Sequence, residues 1–208
     1  MPYIHECFCS SAIFAIVSFT GNIFLVRHGV TDWNQQGIWQ GWKGPGLNME
    51  GRHQAELLAR KLEGANISAI YSSDLPRAHE TAAIISAKIG NLNPITMPCL
   101  RERDLGQLSG KSMKEIYEVY PNIAMERETL GSNDYMGVEK WADFTKRVSH
   151  CFQAISRESE GNVVVVTHGG CIMSLVRSYV DPSFDQIVDN CGVLKFRQNS
   201  HGYQLERL

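Results

Sequence analysis

Two histidines in the chain each come directly after an apolar segment of strand-forming residues. Residues 23–26 (I-F-L-V) lead into Arg27 and His28, and residues 163–166 (four valines) lead into His168. Such runs predict fully buried strands, and a buried strand that delivers a cation and an imidazole at its end is unusual for a core. Loops that follow such strands commonly carry function. We therefore interpret both histidines as site residues rather than as satisfied polar residues at strand ends.

The chemistry that these residues permit is reaction at a phosphate group. Arg27 and Arg77 can each offer paired donors to phosphate oxygens, and His168 adds a third cation if it is protonated. A neutral imidazole at His28 is a competent nucleophile that can form a covalent intermediate. Glu102 is the candidate general acid, and a dianionic substrate nearby favours its protonated form. Because the cations neutralise the phosphate, the predicted site needs no metal and no cofactor.

The elements that must position these side chains can be predicted from local patterns. A strand over 67–71 precedes Pro76, which suits the first turn of a helix, so Arg77 lies near a helix N-terminus where anions are favoured. The stripe formed by Trp141, Phe144, Val148, Phe152 and Ile155 predicts an amphipathic helix. Two segments near the C-terminus, 191–196 and 203–205, predict an antiparallel strand pair.

These elements predict an α/β fold built as a three-layer sandwich, with a mostly parallel central sheet and helices on both faces. If the two strands that end in histidine lie parallel in that sheet, His28 and His168 emerge at the same edge. No linker or repeat divides the chain after residue 20. We therefore predict one domain over 21–208 and an N-terminal extension of unknown role over 1–20.

Four motifs occur in a fixed order along the chain. They are L-V-R-H-G-x-T-x-x-N at 25–34, S-S-D-L-x-R-A-x-E-T-A at 72–82, L-R-E-x-D-x-G at 100–106 and V-T-H-G-G at 166–170. In this order they resemble the histidine phosphatase superfamily, in its phosphoglycerate mutase-like branch. The resemblance runs from about Ile23 to the C-terminus, and four ordered motifs are far more specific than any one of them.

The resemblance implies a role for each matching residue. It implies that His28 is phosphorylated, that Glu102 shuttles the proton and that Asn34 contacts the phosphate. A partial match at 137–139 to a family G-G-E element implies that Glu139 lies near the substrate. The catalytic set is then His28, Glu102, His168, Arg27 and Arg77, and the substrate-binding set is Arg27, Asn34, Arg77, His168 and Glu139.

Composition limits the classes of partner. The chain has 208 residues, 43% of them hydrophobic and 20% charged, and its formal net charge is −2. That balance is typical of a globular protein and offers no overall basic surface for nucleic acid or membrane. The expected partner is a small phosphorylated metabolite, and a homodimer is left open. The six cysteines form no C-x-x-C pair, so we predict reduced thiols, no metal site and a cytoplasmic location.

The sequence favours a phosphatase, with two alternatives. Family mutases carry a longer basic insert between the acid, here Glu102, and the second histidine, here His168. In this chain the corresponding segment, 111–137, is short and acid-rich. Its polar, glycine-containing part predicts a mobile flap over 122–138. We expect metal-independent hydrolysis of a phosphomonoester through a phosphohistidine intermediate. The alternatives are a cofactor-dependent phosphoglycerate mutase and a non-catalytic phosphate-binding module.

Overall fold

The computed structural model describes residues 21–119, 135–199 and 202–208. The strands of the described part are β1 (Asn22–Arg27), β2 (Ile67–Ser72), β3 (Ile95–Thr96), β4 (Asn162–Thr167), β5 (Val193–Asn199) and β6 (Gly202–Arg207). Its α-helices are α1 (Asp32–Gln35), α2 (Met49–Leu62), α3 (Pro76–Ile89), α4 (Met113–Val119), α5 (Trp141–Glu158) and α6 (Gly169–Tyr179).

The six strands form one mixed sheet in the order β3-β2-β4-β1-β5-β6. The first four strands of that order run parallel, whereas β5 is antiparallel to β1 and β6 is antiparallel to β5. This topology confirms the predicted α/β class, the mostly parallel sheet and the antiparallel pair at the C-terminus.

Helices cover both faces of the sheet, which confirms the three-layer sandwich. Alternate residues of β1 point to opposite faces, as the pleat of a strand requires. Ile23 and Leu25 pack with α5 and α6, while Phe24 and Val26 pack with α2 and α3. The valines of β4 divide in the same way, so both central strands are buried on both sides.

Local sequence signals account for the ends of several helices. The side chain of Asn48 accepts a hydrogen bond from the Gly51 backbone and begins α2. Ser112 and Glu115 form a reciprocal capping box at the start of α4. In α5 the predicted stripe is buried at Phe144, Val148, Phe152 and Ile155.

Two predictions concern segments that the structure describes little or not at all. The proposed N-terminal extension, 1–20, lies outside the described residues, and so does most of the predicted mobile flap, 122–138. Among the helices that are described, none combines the length and the apolar character that a membrane span requires.

The prediction that all six cysteines are reduced is wrong for one pair. Cys99 and Cys151 are joined by a disulfide, with their Cα atoms 5.8 Å apart, whereas Cys171 and Cys191 are free thiols. The two bonded cysteines are 52 positions apart in sequence. Their pairing depends on the packing of the turn before Arg101 against α5, and such pairings cannot be deduced from the sequence alone.

Candidate active site

The carboxyl ends of β1 and β4 bring the two histidines together. The strands pair in parallel with Arg27 opposite Thr167, and the backbone N–H of His28 donates to the Thr167 carbonyl at 3.0 Å. The two imidazole rings lie with their centroids 5.2 Å apart, and both side chains are buried. The shared edge predicted for His28 and His168 is therefore observed.

One ring nitrogen of His28, Nε2, carries no hydrogen and faces Arg77. Its Nδ1 lies 2.8 Å from the Gly29 carbonyl oxygen, so Nδ1 carries the hydrogen and Nε2 keeps a lone pair. The Nε–H of Arg77 points at that Nε2 from 3.3 Å. Burial lowers the pKa of His28 well below its ordinary value, and the nearby charge of Arg77 lowers it further. The imidazole is therefore neutral at physiological pH, as a nucleophile must be.

Arg77 is held at the start of α3 by the loop that follows α1. Only 1% of the residue is exposed, and its Nη1 and Nη2 atoms donate to the carbonyls of Lys43 and Gly41 at 2.9 and 2.7 Å. Burial lowers the pKa of Arg77 to about 10, so its guanidinium stays charged at neutral pH. The structure thus places a cation beside Nε2 of His28, the candidate nucleophile.

Arg27 supplies a second cation from the end of β1. Its Nη1 donates to the Val188 carbonyl at 2.7 Å, which ties the side chain to the segment before β5. Its Nε is buried and has no hydrogen-bond partner among the described residues. Burial lowers the pKa of Arg27 from its ordinary value. A buried N–H of a cation without a partner is a donor prepared for an anion.

In the enzyme without substrate, His168 is a neutral hydrogen-bond donor rather than a third cation. Burial lowers its pKa well below the ordinary value, and the charge of Arg77 acts in the same direction. Its Nε2 lies 2.9 Å from the Ser73 hydroxyl oxygen, which already accepts a hydrogen bond from the Leu75 backbone. The Leu75 bond leaves the Ser73 oxygen one lone pair and its own hydrogen. We assign the ring proton to Nδ1, because in this tautomer the Ser73 hydroxyl donates to Nε2 and its hydrogen also has a partner. That Nδ1 is buried without a partner in the described part of the chain.

Glu102 reaches the site from the loop before α4 and lies against the start of α6. Its carboxylate oxygens accept hydrogen bonds from the backbone N–H groups of Arg103 and Gly170, at 2.8 and 3.0 Å. A Cβ atom at Gly170 would lie 2.3 Å from a Glu102 oxygen. The second glycine of the H-G-G motif therefore leaves the space that the acid occupies.

The two remaining predicted residues have well-defined surroundings. The side-chain oxygen of Asn34 accepts hydrogen bonds from the backbone N–H and the hydroxyl of Thr31. The side-chain NH₂ group of Asn34 is therefore the group that could donate to a substrate. Glu139 binds Arg147 and the backbone N–H of Asp104 through its carboxylate. The predicted substrate contacts of Asn34 and Glu139 stay predictions.

Sequence reasoning missed three side chains that support the site. Ser73 orients His168, Asn190 donates to the backbone carbonyl of His28 at 3.0 Å, and Arg147 binds the backbone around Glu102. Ser73 lies inside the second motif, so its place beside Arg77 was an available signal. Asn190 and Arg147 lie far from any motif, and only the fold brings them to the site.

This arrangement can bind a phosphate and attack it. Two arginines and the Nδ1–H of His168 offer donors, and His28 offers a lone pair. Within the described residues, no group of three or more His, Cys, Asp or Glu side chains is placed to hold a metal ion. The donor set is therefore suited to an anion rather than to a cation.

Comparison with known proteins agrees with this geometry. A family model described as histidine phosphatase superfamily (branch 1) matches residues 23–208. Phosphoglycerate mutase-like protein 4 of Arabidopsis thaliana is 40% identical over 157 residues, which cover 74% of this chain and 68% of that protein. The metal-independent phosphoserine phosphatase of the same plant is 36% identical over 158 residues, which cover 74% of this chain and 66% of that phosphatase.

Solved structures point the same way. The structure of a mycobacterial glucosyl-3-phosphoglycerate phosphatase with VO3 superposes with a TM-score of 0.79 at 27% identity, over 90% of this chain and 98% of that one. Two 2,3-bisphosphoglycerate-dependent phosphoglycerate mutases also match this sequence. One is 38% identical over 98 residues, and the other is 29% identical over 177 residues. These relatives confirm the prediction of a phosphatase-type enzyme with mutases as the second class. The chain belongs to branch 1 of the histidine phosphatase superfamily.

Proposed function

We propose that this chain hydrolyses phosphomonoesters of small metabolites without a metal ion, through a phosphohistidine formed at Nε2 of His28. The observation that carries the proposal is the state of that nitrogen. It is buried, unprotonated and 3.3 Å from the Arg77 guanidinium, at an edge where Arg27 and His168 also direct unpartnered N–H groups. Few structural roles would require a buried cluster of this kind.

The first step transfers the phosphoryl group to the enzyme. The Nε2 lone pair of His28 forms a bond to phosphorus while the bond from phosphorus to the ester oxygen breaks. Arg27, Arg77 and the Nδ1–H of His168 stabilise the charge on the three other oxygens. Protonated Glu102 gives its proton to the leaving oxygen, so the product departs as an alcohol.

The second step returns the enzyme to its starting state. A water molecule attacks phosphorus, the Glu102 carboxylate accepts a proton from that water, and the bond from phosphorus to Nε2 breaks. Inorganic phosphate leaves, with its charge held by the same arginines until release. Glu102 thus acts as acid and then as base, and the enzyme ends the cycle in the protonation state in which it began.

Hydrolysis is favoured over isomerisation by the charges at the rim of the site. A mutase needs cations that hold a second acid group of its substrate. Arg101 and Arg103 flank the acid in sequence. Arg103 donates its Nε–H to the Glu139 carbonyl at 2.7 Å, and Arg101 forms a bidentate ion pair with Asp74 at 2.7 and 2.5 Å. The Trp42 ring also covers its guanidinium at 4.7 Å. Arg101 is therefore already committed to protein partners.

The relatives suggest where to begin the search for a substrate. One is named a phosphoserine phosphatase and another, from yeast, a broad-specificity phosphatase. We propose an alkyl phosphomonoester of metabolite size, with phosphoserine as the first candidate. The partner is then a small phosphorylated metabolite, and dimer formation is a separate question for solution measurements.

The deciding experiment compares two reactions on one enzyme preparation. Phosphate release from phosphoserine and from 3-phosphoglycerate is measured beside interconversion of 3- and 2-phosphoglycerate, with and without bisphosphoglycerate. We expect phosphate release to exceed interconversion by at least about tenfold, the equivalent of roughly 1.4 kcal/mol between the two barriers. Interconversion faster than phosphate release would establish the mutase alternative instead. Phosphate binding without either reaction would establish the non-catalytic one.

We also propose a cytoplasmic location, supported by the free thiols of Cys171 and Cys191. The disulfide between Cys99 and Cys151 makes the proposal testable, because such bonds are rare in reducing compartments. If the compartment keeps this pair reduced, alkylation after acid-quenched, denaturing lysis should label Cys99 and Cys151; denaturation is needed because Cys151 is buried. A pair that is fully oxidised in cells would place the enzyme in an oxidising compartment.

A further inference from the structure

The segment that carries the general acid has little regular structure of its own. We call residues 99–104 the acid loop. It begins in a short 3₁₀ turn (Pro98–Leu100) and continues without helix or strand through Asp104. Backbone groups in such a partly buried segment need partners outside it, and the partners fix where the segment lies. The position of the Glu102 carboxylate therefore depends on whatever binds this backbone.

Arg147 of α5 binds the acid loop through three carbonyl oxygens. Its Nη1 donates to the carbonyls of Cys99 and Arg101, both at 2.9 Å, and its Nη2 donates to the carbonyl of Glu102 at 3.3 Å. Three contacts from one planar group fix both the position and the tilt of the loop, because the guanidinium is rigid.

Glu139 holds the same guanidinium and the far end of the loop. Its carboxylate receives the Arg147 Nε–H at 2.9 Å and an Nη2–H at 2.7 Å. It also accepts the backbone N–H of Asp104 at 3.1 Å, and the backbone N–H of Glu139 donates to the Asp104 carbonyl at 2.9 Å. Glu139 and Arg147 together bind the acid loop at both ends.

All five N–H donors of Arg147 are used in this arrangement. Two go to Glu139 and three to the acid loop, which is the full capacity of a guanidinium. The side chains of Arg147 and Glu139 are 22% and 16% exposed, and the Phe144 ring lies 5.2 Å from the guanidinium carbon. A lysine offers three donors without the planar fork, so it cannot reproduce this set.

The loop must be placed accurately because the space for the acid is narrow. The Glu102 carboxylate lies against the backbone of Gly170, where even a single Cβ atom would lie 2.3 Å from one of its oxygens. A shift of the loop away from α6 would move the proton donor away from the leaving oxygen. A displacement of about 1 Å at a catalytic group can cost roughly 100-fold in rate.

We propose that Arg147 and Glu139 are positioning residues for the general acid, and that they act on proton donation by Glu102 rather than on phosphate binding. The inference rests on the function proposed above. It gives Glu139 a role through Arg147 and the acid loop. Because the pair is internally neutralised, it adds no net charge for the substrate to bind, and its effect should follow the demand of the leaving group for a proton.

The test compares kcat/KM for two substrates in Arg147→Lys and Glu139→Gln. The leaving group of phosphoserine is the serine alkoxide, which needs a proton. The leaving group of p-nitrophenyl phosphate is p-nitrophenolate, which is stable and needs none. We expect Arg147→Lys to lower kcat/KM by about 100-fold on phosphoserine but by less than about threefold on the nitrophenyl ester. Glu139→Gln should show the same selectivity with a smaller loss.

Two further variants calibrate the result. Glu102→Gln removes the acid itself and should show the same substrate selectivity at larger size, by about 10²–10⁴-fold on phosphoserine. Arg157→Lys is the matched control, because Arg157 lies on the same helix, is exposed and, among the described residues, donates to the Gln153 carbonyl of that helix. It should leave both substrates unchanged.

Each contrary outcome has a distinct meaning. Equal losses on both substrates in Arg147→Lys and Glu139→Gln would show that the pair only maintains the fold, and would overturn the proposal. Unchanged kcat/KM on both substrates would overturn it as well. Thermal unfolding of each variant identifies any that fail to fold, and the folded one of the two then decides. A wild-type enzyme without phosphatase activity would overturn the proposed function instead.

Discussion

At the scale of single residues, the site depends on two imidazoles that burial keeps neutral. The ring centroids of His28 and His168 lie 5.2 Å apart, beside two guanidinium groups. Burial is the largest of the causes that lower the pKa of each ring. A proton on either ring would be unfavourable in the free enzyme. For His28 this preserves the nucleophile, and for His168 it fixes a single donor at Nδ1. A bound phosphate dianion reverses the balance, because its charge favours protonation of His168.

The same burial predicts how stability depends on pH. In the unfolded chain both histidines take up a proton near pH 6.5, whereas in the folded chain they do so only at lower pH. The unfolded state therefore binds more protons below pH 6.5, and the stability present at neutral pH is lost as the pH falls. Urea unfolding in a phosphate-free buffer should show a loss of up to about 1.4 kcal/mol per pH unit for each histidine between pH 6.5 and 5.5.

The variant His168→Gln tests whether the buried imidazoles cause this loss of unfolding free energy. Glutamine at position 168 can still bind the Ser73 hydroxyl but does not titrate, so His168→Gln should reduce the slope by the contribution of about one proton. A free energy of unfolding that is independent of pH over this range would show that the folded histidines protonate as readily as the unfolded ones.

At the scale of elements, strand ends and one helix N-terminus build the site. Arg27 ends β1 and His28 follows it, Arg77 lies in the first turn of α3, and His168 follows β4. Each of these positions is fixed by a strand that is buried on both faces or by the first turn of a helix. The charge that neutralises phosphate is thus carried by side chains anchored at the buried sheet and at a helix end.

This origin of the charge predicts that chelators leave the enzyme active. After dialysis against EDTA, kcat on phosphoserine should stay within about twofold of its starting value, because the arginines supply the stabilisation that a metal supplies elsewhere. Added magnesium, manganese or zinc should give no increase. Loss of activity in EDTA that a divalent ion restores would require a metal in the mechanism.

The same elements explain what could be predicted from the sequence. The edge that joins His28 and His168 follows from two apolar runs with the same ending, and the buried face of α5 follows from its apolar spacing. Arg147 lies on that helix next to Val148, and nothing local separates it from a solvated arginine. Its partners come from the acid loop more than 40 positions away, a contact that only tertiary packing creates. The disulfide of Cys99 has the same origin.

At the scale of the whole molecule, one sheet brings distant motifs to one place. The crossover connections place β1 beside β4, so residues 140 positions apart form a single site. Helices α5 and α6 cover one face, and α5 also supplies the arginine that holds the acid loop. The layer that forms the core therefore also positions the acid. Family membership follows from this arrangement together with the ordered motifs.

The central claim is that the phosphoryl group passes through His28. The direct measurement incubates the enzyme with substrate carrying ³²P, quenches it in alkaline denaturant and maps the label by peptide sequencing. We predict up to one phosphoryl group per chain, stable in alkali and lost in acid, on the peptide that contains His28. His28→Asn should abolish the label, while the exposed control His53→Asn should retain it. Label that persists in His28→Asn, or that maps to another residue, would contradict the account.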